Sequence, residues 1–266
     1  MTRWPRTGQE ARECIRSGRW RSPTAPLAPG FVQANLVVLP ADVACDFAKL
    51  CARNPRPLPL LERMVRGSAI PERTAANADL RTDLPRYRVY RCGNLVEERT
   101  ELLRIWQPDW VAFLLGCSFT FDGVLVQAGI RVQHMTSGRN VPMYITNRRL
   151  QSAGRLRGPL VVSMRPIHPD DVARVCALTD ALPLAHGGPI SIGKPEALGV
   201  DLESPDFGDP PVIQAGDIPL FWACGVTAQA VATTSDLPLM ITHAPGHMFV
   251  TDLCSQGFQG VAPRSE

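Results

Sequence analysis

Lysine is almost absent from this sequence: Lys49 and Lys194 are the only two in 266 residues, and the remaining cationic charge sits on scattered arginines. The balance of 28 Lys+Arg against 25 Asp+Glu gives a formal net charge of only +3, and no basic run marks a nucleic-acid surface. Long apolar runs are also missing. VAFLLGCSF (111–119) and PLVVSM (159–164) fall well short of the roughly 20 residues that cross a bilayer, so no membrane span is expected. The N-terminal stretch MTRWPRTGQEARECIRSGRWRSP has arginines but no uninterrupted apolar segment after them, which argues against a secretory signal and for a cytoplasmic protein. There is no C-x-x-C pair. The eight cysteines (14, 45, 51, 92, 117, 176, 224 and 254) lie far apart and read as free thiols rather than a disulfide frame or a zinc site. No G-x-G-x-x-G or Walker pattern occurs, so HGGP (186–189) is not read as a nucleotide loop. Repeats and low-complexity segments are absent too.

What is present is a hydrophobic fraction of 45% with 20% charged residues, enough to bury a core. We expect one domain over 1–266, divisible at most into a helical, loop-rich part at 1–105 and a sheet-rich part at 106–266 that carries the site. Helices are expected at 8–18, at 41–54, where Val43, Phe47, Leu50 and Cys51 share one face before Pro55 and Pro57, and within 168–182. Prolines 23, 26, 29 and 40 predict an extended path without regular structure over 21–40. From Trp110 onward, strand-length apolar runs alternate with glycine and proline, as buried strands ending in turns do. The fold class expected is α/β or α+β, with a mixed β-sheet core flanked by helices.

Five segments combine ionisable groups with turn residues: GCSFTFD (116–122), SMRP (163–166), HGGPISIG (186–193), PDFGD (205–209) and THAPGH (242–247). His243 and His247 are four apart, but Pro245 and Gly246 make a helical zinc motif improbable. Three readings stay open for them: an acid/base pair, a metal site completed by Asp252, or imidazoles that only hold the turn. Arg165 offers a bidentate fork for a substrate carboxylate, or else an internal salt bridge with Asp206 or Asp209. Those two acids suit a general base with an orienting partner, or a turn capped by Asx hydrogen bonds. Cys117 and Cys224 close apolar runs and read as nucleophile candidates or as small buried hydrophobes, and Ser118 is a polar contact. The candidate catalytic residues are therefore His243, His247, Asp209 and Cys117. The candidate substrate-binding residues are Arg165, Ser118, His186 and Asp206. No cofactor is expected, with a divalent metal on His243, His247 and Asp252 as the alternative.

Nine blocks, from LAPGFVQANLVVLP (27–40) and DLRTDLPRYRVY (79–90) through VPMYITN (141–147) and IPLFWACGVTAQ (218–229) to ITHAPGHMFVTD (241–252), run in the order found in the D-glutamate cyclase-like family of hydro-lyases. The chain resembles that family from about residue 8 to 253. Two positions depart from its pattern: Ser191 stands where a histidine is usual, and Asp122 where glutamate is commoner. The resemblance implies conversion of D-glutamate to 5-oxo-D-proline with loss of water. Under it, Arg165 suits the substrate anchor, Asp209 or one of the two histidines the base, and the other histidine the acid. The rival classes are a dehydratase of another hydroxy acid and a non-catalytic carboxylate-binding protein. A small-molecule carboxylate is the expected partner, with no nucleic acid and no membrane. A homo-oligomer is compatible with the composition, which specifies no symmetry.

Overall fold

The strand that organises the fold is FVQANLVVLP, β1 (Phe31–Pro40), buried along nearly its whole length. Its residues alternate between two faces, as strand geometry requires. Val37 and Leu39 enter one hydrophobic cluster, and Leu36 and Val38 enter another on the opposite face. Because both faces are buried, residues 36–39 read as a continuous apolar run rather than an alternating one. The strand's buried polar residues, Gln33 and Asn35, donate to the Thr24 and Gly116 carbonyls. Truncating a side chain such as Leu39 to alanine should cost about 2–5 kcal/mol. The proline-rich expectation for 21–40 therefore holds only up to Gly30. Prolines 23, 26 and 29 all precede the strand, and Pro40 is its last residue, where a missing N–H does least harm.

Residues 4–255 are described by the computed structural model. The larger sheet runs β2 (Leu60–Arg63), β5 (Trp110–Gly116), β1, β10 (Met240–His243), β3 (Tyr87–Arg91) and β4 (Asn94–Arg99), while β11 (Phe249–Cys254) also pairs β1. Strand β10 pairs β1 at Val37 and Val38, and β11 pairs it from Phe31 to Ala34, so the turn between β10 and β11 rides over the middle of β1. The smaller sheet runs β6 (Met143–Arg149), β7 (Pro159–Ile167), β9 (Ile218–Ala223) and β8 (Ser191–Ile192). Each of the named ladders is antiparallel, which with the helices makes the fold α+β.

Helices α1 (Gly8–Arg16), α2 (Ala41–Arg53), α3 (Phe119–Gln127), α4 (Gln133–Thr136), α5 (Val172–Asp180) and α6 (Thr227–Thr234) cover the sheets. A reciprocal capping box between Thr7 and Glu10 starts α1. Helix α2 turns Val43, Phe47, Leu50 and Cys51 onto one face of the larger sheet, with α6 beside it. The opposite face is closed by the loop-rich stretch that supplies Met64, Ala75, Leu80 and Leu84. Helices α3 and α5 pack on the smaller sheet through Phe121, Leu125 and Val175 against Leu220 and Trp222.

Candidate active site

Two spacings build a buried polar network. Ser163 and Arg165 are two apart on β7 and so point to the same side, toward α3. Ser118 and Asp122 are four apart across the start of α3 and share a helical face. The Arg165 guanidinium donates from Nε to Asp122 Oδ1 (2.9 Å) and from Nη2 to Asp122 Oδ2 (2.7 Å), and also to the hydroxyls of Ser118 and Ser163. Its Cζ lies 4.7 Å from the Phe121 ring centroid and 5.6 Å from that of Trp222. Burial alone would push the Asp122 carboxyl up, but Arg165 and then His134 pull it down to about 2. His134, from α4, brings Nε2 within 3.4 Å of Asp122 Oδ2. In this network each nitrogen of the Arg165 fork donates to a protein oxygen.

In front of it lies a cleft of two lobes that meet at Asn140 and Asp209. The polar lobe, about 370 Å³, is lined by Arg86, Arg88, Glu98, Asp206, Asp209 and His247. The apolar lobe, about 490 Å³, is lined by Trp4, Trp20, Pro23, Pro26 and Met135, with His134 and Arg139 among its polar residues. His134 thus joins the cleft to the buried network.

Register places the polar lobe. His243 pairs with Tyr87, and Ala244 N–H donates to Arg86 O at 2.9 Å, so the β10–β11 turn emerges beside Arg86. Arg86 and Arg88 flank buried Tyr87 and share the opposite side of the strand, where both meet Glu98 (3.4 and 2.8 Å). Partial burial raises the Glu98 carboxyl, but Arg88 and Arg86 outweigh it and hold the group below its usual range. In the turn, the His247 Nδ1–H donates to Pro245 O at 2.9 Å, since a carbonyl can only accept. The lone pair is therefore on Nε2. Burial lowers the His247 pKa, and Arg86 adds to the effect against the hydrogen bonds to the Pro245 and Arg21 backbones. The imidazole is neutral at pH 7. Asp206 and Asp209 come from the loop bridged to β6 through Met143 and Phe207. Each is fixed through Oδ2, by Ile145 N–H (2.7 Å) and Asn140 N–H (2.6 Å) respectively.

A D-glutamate cyclase family profile matches residues 111–252, more than half of the chain. A protein of Rubrobacter xylanophilus with the provisional name hydro-lyase is 58% identical over 91% of this chain and 94% of its own. A Geobacillus kaustophilus protein, likewise a hydro-lyase by provisional name, is 54% identical over 94% of this chain and 95% of its own. The chain belongs to the D-glutamate cyclase family. A solved structure of a nitrogen repressor-like protein from Methanococcus jannaschii aligns over 91% of this chain and 97% of its own. Its TM-score is 0.37 at 10% identity, too weak a likeness to bear on the fold.

In this family member the residues singled out from sequence fall into three groups. His247, Asp206 and Asp209 line the polar lobe. Arg165 and Ser118 stand behind the cleft in the network, and Arg165 pairs with Asp122 rather than with Asp206 or Asp209. Its fork is filled, so a substrate carboxylate would have to displace Asp122. His243, His186 and Cys117 are buried away from the cleft. His243 directs Nδ1 at the Leu36 backbone, and His186 directs Nδ1 at Arg56 O (2.7 Å). Burial lowers both to about 4, so both stay neutral. Burial pushes the Cys117 thiol up to about 12, which leaves no thiolate for attack at neutral pH. The alternative metal ligands do not gather: Asp252 is held bidentately by Arg12 at 2.9 Å, under α1. Among the described residues no three His, Cys, Asp or Glu side chains form a metal-sized group. Sequence reading missed Arg86 and Arg88. The signal was the alternation P-R-Y-R-V-Y, in which the polar positions of a strand repeat every second residue.

Proposed function

We propose that this chain closes D-glutamate into 5-oxo-D-proline with loss of water, in the polar lobe. The reading is carried by one observation: two guanidiniums face a single carboxylate, beside a neutral imidazole whose Nε2 bears the lone pair. That corner has an unbalanced positive charge and attracts an anion, while Asp206 and Asp209 offer carboxylate oxygens to an ammonium. An amino dicarboxylate matches both ends, and family membership supports the same substrate class.

Ring closure needs a neutral amine and an electrophilic γ-carboxyl. In the proposed mechanism Arg86 and Arg88 take the γ-carboxylate, cancel its charge and stabilise the oxyanion that forms when nitrogen attacks. The aspartates hold the amino group within reach, so that attack is intramolecular and five-membered. His247 Nε2 carries two protons in turn from nitrogen to the departing oxygen. The C–N bond forms, the C–O bond breaks, and oxygen leaves as water.

The test is incubation of the folded protein with D-glutamate, L-glutamate and a panel of hydroxy acids, followed by mass for loss of one water. Conversion of D-glutamate supports the reading. Turnover of a hydroxy acid alone would make the protein a dehydratase, and turnover of nothing would leave a carboxylate-binding protein.

A further inference from the structure

We infer that the cleft also cyclises γ-D-glutamyl amides whose amine part is apolar or aromatic, with the leaving amine seated in the apolar lobe. This rests on the polar lobe being the D-glutamate site and extends it to the substrate class. Free D-glutamate has nothing to place against Trp4, Trp20, Pro23, Pro26 and Met135. The apolar lobe is the larger of the two, and Asn140 and Asp209 line both.

The junction carries its own sign of a missing ligand. Asn140, shared by both lobes, has a buried side-chain oxygen with no hydrogen-bond partner. Such an acceptor is costly to leave empty. A carboxylate has no hydrogen to give it, whereas a secondary γ-amide has one N–H at that place. His134 walls the apolar lobe, is more than nine-tenths buried, and turns its Nε2 to Asp122 Oδ2 at 3.4 Å. The chemistry also favours an amide, because its γ-carbonyl carries no negative charge to repel the attacking nitrogen. The α-amine attacks the γ-carbon, the ring C–N bond forms and the exocyclic C–N bond breaks. His247 passes the proton lost by the attacking nitrogen to the leaving nitrogen. The products are 5-oxo-D-proline and the free amine, with no oxidant or reductant needed.

The experiment compares γ-D-glutamyl benzylamide, γ-D-glutamyl methylamide and D-glutamate as substrates of the full chain, following 5-oxo-D-proline by mass. The two amides share their chemistry and differ in what reaches the apolar lobe. Expected is a kcat/KM at least about tenfold higher for the benzylamide than for the methylamide. Trp20→Ala, which empties the lobe, and Ala25→Trp, which fills it, should each draw that ratio toward one. The second variant keeps the test decisive if the first folds poorly. A wild-type ratio near one, or a ratio unmoved by a folded variant, would overturn the inference. Conversion of D-glutamate with neither amide turned over overturns it alone, whereas no turnover of all three removes the polar-lobe reading as well.

Discussion

Arg165 and Asp122 show what a single residue pair can and cannot reveal from sequence. Arg165 stood out because a guanidinium closing an apolar run must find a partner, and burial makes that partner obligatory. Its identity was hidden in two spacings read separately, Ser118 to Asp122 on a helix and Ser163 to Arg165 on a strand. They meet only when α3 packs on β7. For Cys117, which closes an apolar run, the sequence left a nucleophile or a small buried hydrophobe open, and full burial raises its thiol pKa. The pair itself yields a prediction. Asp122→Asn leaves a buried guanidinium facing a neutral amide, and we expect unfolding free energy to fall by about 3–5 kcal/mol in urea titration. A loss below about 1 kcal/mol would show that solvent reaches Arg165.

At the scale of elements, α2 was legible because its apolar positions repeat at helical spacing and Pro55 follows its end. Strand β1 was not, since prolines just before it lowered the expectation for a run that is buried on both faces. The β10–β11 turn was legible as a turn and, as the last of the nine ordered blocks, as the closing wall of a carboxylate site; Ala244, Pro245 and His247 line the polar lobe. Gly246 has φ +80°, and a Cβ there would lie 2.8 Å from Asn140 Nδ2. Gly246→Ala should therefore cost about 1 kcal/mol or more in backbone strain. It should also push Asn140 into the junction of the two lobes and raise KM for D-glutamate several-fold with a smaller change in kcat. Thermal melts and steady-state kinetics of the variant check both, and an unchanged KM would take Asn140 out of the substrate's reach.

Over the whole molecule, the cleft joins residues about 160 positions apart, from Arg86 to His247, through strand pairing that no local pattern announces. Ordered blocks made the family legible in advance of that geometry. Two buried histidines set a further property of the whole fold. His186 and His243 are lowered from 6.5 to about 4 by burial. Between those pH values the unfolded chain binds protons that the folded one refuses, so their contribution is complete above pH 6.5 and lost as pH falls toward 4. We expect the urea midpoint to drop across that window by an amount on the order of a few kcal/mol in stability. His186→Asn with His243→Gln should flatten the profile, and a profile already flat in the native chain would show that these imidazoles are not buried neutral. Asp122 would add its own loss only at lower pH, from its ordinary 3.8 toward 2. In the proposed mechanism His247 moves the protons in the polar lobe. The most direct measurement is the pH dependence of kcat/KM for D-glutamate in the native chain and in His247→Gln. Expected are an acidic limb governed by a pKa below 6.5, its disappearance in the variant, and a rate lower by about 10²–10⁴-fold. A folded His247→Gln protein that keeps the native rate and the native limb would contradict it.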